Sequence, residues 1–246
     1  MQKSSFNLHV SATADAVLGA LADYFVAQAS QAVAARGRFV VALSGGSSPK
    51  KLYELLASPA YRERVEWDKA YFFFGDERNV PQTSSESNYL LAKTTLFDPL
   101  AMRPAQVFAV DTRLAPAEAA AQYGVDVEEF FGEQEARFDL VLLGLGDNAH
   151  TASLFPHTPV LHDTTVSVQE VWLPVEQVFR ITFTAPLINQ ARAVAFLVYG
   201  AGKAEAVHQI LELPRDVDRY PAQLIELDGK PVDWFLDEAA AAQVTH

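Results

Sequence analysis

The side chains best placed to do chemistry fall in three short segments, each just past an apolar run. The first is Gly144-Leu145-Gly146-Asp147-Asn148-Ala149-His150-Thr151-Ala152-Ser153-Leu154-Phe155-Pro156, which follows Leu140-Val141-Leu142-Leu143. It sets a histidine beside an amide and two hydroxyls, and an imidazole that titrates near neutral pH can take a proton from water. A Gly-rich strand-to-helix turn with an incidental histidine is the competing reading. The second is Ser44-Gly45-Gly46-Ser47-Ser48-Pro49, between the apolar Phe39-Val40-Val41-Ala42-Leu43 and a stretch with Leu52, Leu55 and Leu56 at helical spacing. Backbone N–H groups at a helix start carry the positive end of the dipole, and glycines let an anion approach them, so this turn reads as a phosphate cradle. A plain tight turn with a serine cap is the alternative. The third is Asp76-Glu77-Arg78, three adjacent charges after Tyr71-Phe72-Phe73-Phe74-Gly75.

These segments need a frame that gathers them. Apolar runs at residues 39–43, 71–75, 107–110, 138–143 and 194–199 read as strands, with further strands at 166–175 and 180–184. Helical spacing covers residues 11–35, 50–57, 89–97, 116–131, 186–191 and 204–213. Strands alternating with helices predict parallel βαβ units, an α/β fold with a predominantly parallel sheet in one domain over residues 1–246. In such sheets ligands gather at the carboxyl ends of the strands, where all three segments would lie.

Composition narrows the function. The chain has 246 residues, half of them hydrophobic, enough for one large core. It has no cysteine, which excludes disulfides, thiolate catalysis and Cys-based metal sites. A net charge of −12 argues against nucleic acid or an anionic membrane as partner, so cations that bind an anionic substrate must be concentrated in one pocket. Residues 1–10 are polar, without a signal-peptide pattern, and no apolar run is long enough to span a bilayer. The expectation is a soluble cytoplasmic protein. The Gly-rich turn matches neither the Walker loop nor the dinucleotide fingerprint, which speaks against ATP or NAD. With no Gly-x-Ser-x-Gly elbow, a serine nucleophile is not expected.

In chain order, Ser44 to Pro49, Gly75-Asp76-Glu77-Arg78-Asn79-Val80-Pro81, Ser87-Asn88, Gly144 to Pro156, Arg180-Ile181-Thr182 and Gly202-Lys203-Ala204 resemble the signature segments of 6-phosphogluconolactonases. The wider superfamily includes glucosamine-6-phosphate isomerase/deaminase, and His-Thr-Ala-Ser-Leu-Phe-Pro favours the lactonase branch. The resemblance implies an isomerase/CoA-transferase-like sheet with helices on both faces. It also implies hydrolysis of 6-phospho-D-glucono-1,5-lactone to 6-phosphogluconate in the pentose phosphate pathway, without cofactor or metal. A deaminase-like enzyme and a non-catalytic sugar-phosphate sensor are the alternatives. The family usually has Asp-Gly where this chain has Asn148-Ala149. Where that position needs a positive φ, alanine costs roughly 1–2 kcal/mol, and Asn148 supports a protonated His150 less than a carboxylate would.

On this reading His150 is the general base for water. Asp76, by resemblance to the isomerase branch's proton-transfer carboxylate, orients water or binds sugar hydroxyls, or else serves as a structural partner of Arg78. Asn88 orients Asp76 or a hydroxyl. The N–H groups around Ser44, Gly45, Gly46 and Ser47 hold the phosphate with Arg180 and Lys203, and Arg78 is a further candidate. His157 and His162 together with His150 fit no standard zinc spacing, so no metal site is expected. The expected partner is a small sugar phosphate lactone, and the expected state is a monomer or weak homo-oligomer.

Overall fold

Runs such as Phe39–Leu43 and Val194–Val198 have no polar face, and they are stable only when both faces are covered; each is buried at every position. The computed structural model describes residues 5–245, so the first four residues of the polar stretch at 1–10 lie outside the described residues. In chain order the strands are β1 (Phe6–Ser11), β2 (Phe39–Leu43), β3 (Ala70–Phe74), β4 (Asp76–Arg78) and β5 (Leu140–Leu143). They continue as β6 (Val168–Leu173), β7 (Val178–Phe183), β8 (Val194–Val198) and β9 (Val232–Asp237). The helices are α1 (Ala14–Arg36), α2 (Ser47–Leu56), α3 (Asn88–Ala92), α4 (Pro116–Phe131), α5 (Ala185–Asn189) and α6 (Ala204–Leu211).

Six strands form a parallel sheet in the order β1-β9-β8-β5-β2-β3. Alternate residues of β2 feed opposite cores. Val41 and Leu43 pack with Leu21 and Phe25 of α1 and Leu52 of α2, while Val40 and Ala42 pack with Tyr123 and Val127 of α4 and Val207 of α6. The expected α/β sheet with helices on both faces is therefore present. The chain runs from β2 outward to β3 and returns to β5 on the other side of β2, so the sheet reverses direction between β2 and β5. A crevice opens at the carboxyl ends of strands at such a reversal.

Two expectations are corrected. Residues 107–110 form no strand. Only Val107 bridges Phe72, and the carbonyls of Phe108 and Val110 are taken by Tyr123 and Gln82 side chains instead of a neighbouring strand. Residues 166–175 and 180–184 do not extend the parallel sheet. They form the β6–β7 hairpin and pair with β4 as a separate antiparallel sheet, in the order β4-β7-β6. At the sheet's far edge β1 and β9 add two strands that the apolar spacing does not announce. Among the described residues, no helix is long and apolar enough to cross a membrane.

Candidate active site

The turn after β2 is fixed from below by a buried tyrosine. The Tyr53 hydroxyl accepts from Ser44 N (3.1 Å) and donates to Ser44 O (2.7 Å), which pins the turn to α2. Gly45 is required by contact, because a Cβ there would lie 1.7 Å from Oδ1 of Asn88. Gly46 has φ 109°, in the region that favours glycine, and no side chain caps α2. The first-turn N–H groups are thus left open to an anion.

The antiparallel sheet supplies the charged wall. β4 and β7 pair Asp76 with Thr182, Glu77 with Ile181 and Arg78 with Arg180. Two arginines directly opposite each other repel unless anions or acceptors lie between them. Arg78 donates to Glu86 O (2.7 Å) and Asn88 Oδ1 (2.8 Å), and Arg180 pairs with Glu176. Both Nε atoms are buried with no hydrogen-bond partner. Asp76 accepts from Ser153 Oγ at 2.7 Å and from Asn88 Nδ2 at 3.3 Å. Its side chain is therefore tied to Ser153 and Asn88, and Asn88, not Asp76, is the partner of Arg78.

Glu77, only 1 % exposed, organises this wall from behind. Its carboxylate accepts from the backbone N–H groups of Arg78 (2.7 Å), Asn88 (2.8 Å) and Tyr89 (2.8 Å), and from Ser87 Oγ (3.1 Å). Burial pushes its pKa up, and the three backbone donors pull it back down. The result fixes the start of α3 and so the position of Asn88.

His150 approaches from β5. Its ring stacks on Phe155 with centroids 3.9 Å apart and an interplanar angle of 18°. Nδ1 lies 2.5 Å from Oδ1 of Asn148. The preceding Gly146 leaves room for the ring, since a Cβ there would lie 2.0 Å from Nδ1. Burial pushes the His150 pKa down to about 4; Asp76 and Glu176 oppose the shift, and Arg180 and Lys203 add to it. Ala149 adopts φ 61°, so an alanine takes the left-handed conformation that favours glycine. Its methyl is fully buried in the core, which offsets part of the strain. Lys203 follows Gly200, whose N–H is held by Asp237 (2.9 Å), and Lys203 pairs with Asp147.

Ser44, Gly45, Gly46, Ser47, Asp76, Arg78, Asn88, His150, Arg180 and Lys203 all line one cavity of about 330 Å³ at the carboxyl ends of the parallel strands. The sequence reading assigned no role to Ser153, Glu77, Glu176 or Phe155. Ser153 and Phe155 sit in the histidine segment, where their types are visible but their partners are not, and Glu176 carries no local signal. His157 and His162 do not line this cavity, and His162 pairs with Asp218 (3.0 Å).

The family model described as glucosamine-6-phosphate isomerases/6-phosphogluconolactonase matches residues 12–234. A 6-phosphogluconolactonase from Nostoc is 40% identical over 229 residues, covering 91% of this chain and 92% of its own. One from Synechocystis is 41% identical over 217 residues, covering 86% and 87%. A solved 6-phosphogluconolactonase from Trypanosoma cruzi superposes with a TM-score of 0.87 at 27% identity, covering 100% of this chain and 99% of that one.

Proposed function

Because the chain belongs to the glucosamine-6-phosphate isomerase/6-phosphogluconolactonase family, we propose that it hydrolyses 6-phospho-D-glucono-1,5-lactone to 6-phosphogluconate, a step of the pentose phosphate pathway. One observation carries the reading. An imidazole held neutral and an uncapped helix start share one cavity with three cations, Arg78, Arg180 and Lys203. A phosphorylated ring ester needs both halves of that arrangement.

The N–H groups around Gly45 to Ser47 receive the phosphate, with Lys203 and Arg180 exchanging Asp147 and Glu176 for its oxygens. Nδ1 of His150 donates to Asn148, which leaves Nε2 as the basic nitrogen. Nε2 takes a proton from water as its oxygen attacks the lactone carbonyl carbon. The ester C–O bond of the tetrahedral intermediate then breaks, and the departing ring oxygen receives that proton. Asp76, fixed by Ser153 and Asn88, binds sugar hydroxyls or orients the water. The reaction balances with water alone, so the proposal calls for no cofactor or metal. It places the enzyme in the cytoplasm as a monomer or weak homo-oligomer.

The test is the hydrolysis of freshly generated 6-phosphogluconolactone, followed spectroscopically against the spontaneous rate. Acceleration proportional to enzyme concentration is expected. Release of ammonia from glucosamine 6-phosphate without lactone turnover would overturn the proposal, as would binding of the lactone without turnover.

A further inference from the structure

The opposite, amino-terminal edge of the parallel sheet has its own cavity, about 450 Å³, lined from α1 and from the segments that enter β5, β8 and β9. Basic residues precede four adjacent strands there: Arg36 and Arg38 before β2, Arg137 before β5, Arg192 before β8 and Lys230 before β9. In a chain of net charge −12 such a concentration of cations at one edge calls for a physical reason. Arg36 closes the last turn of α1, where it opposes the helix dipole, but Arg192 and Lys230 lie outside any helical turn.

The carboxylates of the cavity are already spent. Asp139 Oδ1 accepts from Arg36 Nε (2.9 Å) and its Oδ2 from Val40 N (2.8 Å), with Arg192 Nε 3.4 Å away. Asp233 Oδ1 is held by His9 (2.7 Å) and Asn7 (3.2 Å), and Oδ2 by the Tyr24 hydroxyl (2.8 Å). Among the described residues, no hydrogen bond engages the terminal guanidinium nitrogens of Arg192, and Lys230 Nζ makes a single 3.5 Å contact, with Arg192 O. The cavity is lined by three cations, Arg36, Arg192 and Lys230, against two carboxylates, Asp139 and Asp233; burial above all, and then Arg36, lowers the pKa of Arg192, while Asp139 opposes the shift. The side chains of Gln28 and Gln31 on α1 add amide donors to the same cavity.

We infer that this cavity is a second anion site, built for a small phosphorylated molecule held between the Arg192 fork and the Lys230 ammonium. A planar fork matches two phosphate oxygens, and a mobile ammonium reaches a third. The strands separate the site from the His150 cavity by roughly 15 Å, about five residues of β-strand rise.

Calorimetric titration with inorganic pyrophosphate tests the inference on three proteins. The wild type is expected to show two binding events, and Lys203→Met to keep the one at the amino-terminal edge. The double variant Arg192→Met/Lys230→Met is expected to bind there at least tenfold more weakly while hydrolysing lactone at the wild-type rate. Gln28→Glu/Gln31→Glu leaves Asp139 and its partners untouched and is expected to weaken the same event by charge repulsion, which keeps the test decisive where the arginine variant folds poorly. Unchanged binding in both double variants would overturn the inference, as would loss of all pyrophosphate binding in Lys203→Met.

Discussion

Gly146→Ala tests whether the exact seat of the His150 imidazole matters to turnover. Gly146 has no positive φ, so alanine fits its backbone, and the hydrogen bond its N–H donates to His150 O (2.8 Å) survives the change. The new methyl would nonetheless lie 2.0 Å from Nδ1 and 2.1 Å from Cε1 of His150. Ordinary contact begins at 3.4 Å, so the ring must retreat by the difference, 3.4 − 2.0 = 1.4 Å. It cannot do so freely, because Phe155 stacks against its face and Asn148 holds Nδ1. Losing that hydrogen bond and part of the stacking costs about 1–2 kcal/mol of stability, which leaves the protein folded. A displacement beyond 1 Å at a catalytic base lowers turnover by on the order of 100-fold or more. We expect kcat of Gly146→Ala to fall by about 10²–10³, close to but not below His150→Ala, with KM changed far less. Circular dichroism establishes folding, and the coupled lactonase assay, corrected for spontaneous opening, gives the rates. Near-wild-type kcat in a folded Gly146→Ala protein would refute the assignment of His150 as the base.

The direct substitutions should separate binding from chemistry. His150→Ala lowers kcat by about 10²–10⁴, while Lys203→Ala removes a charge-assisted contact of about 1.5–3 kcal/mol and raises KM about 10- to 100-fold. Because burial lowers the His150 pKa from 6.5 to about 4, the unfolded chain takes a proton at this residue first on acidification. The stability tied to its neutral ring is whole above pH 6.5 and drains away as pH falls to about 4. His150→Gln should flatten that part of the curve of denaturation midpoint against pH, and the His150 ring signal in NMR should titrate near 4, not 6.5. Glu77→Ala leaves three backbone N–H donors, one buried and two half-buried, and a buried hydroxyl without an acceptor, at roughly 1–3 kcal/mol each where buried. Chemical denaturation should show a loss of about 3 kcal/mol or more, with Glu77→Gln recovering part of it.

Much of the site was legible because its signals are local. A glycine-rich turn between an apolar run and a helical spacing announces Gly45, Gly46 and Ser47, and the histidine segment after another apolar run announces His150, without knowledge of strand order. The resemblance of short segments taken in sequence supplied Arg180 and Lys203. What local pattern omits is pairing across distance. Nothing in Arg180-Ile181-Thr182 states that it lies antiparallel to Asp76-Glu77-Arg78, because that register is set by contacts about 100 residues apart in the chain. The same long-range pairing turns Asp76 toward Ser153 and gives Arg78 to Asn88. It also leaves residues 107–110 outside the sheet, where side chains satisfy their carbonyls. Sequence determined which residues could bind and react, since residue type and immediate spacing fix chemistry and turn geometry. Only the tertiary structure decided which of them meet, because the sheet's order and the fit of its two faces depend on every strand being buried at once.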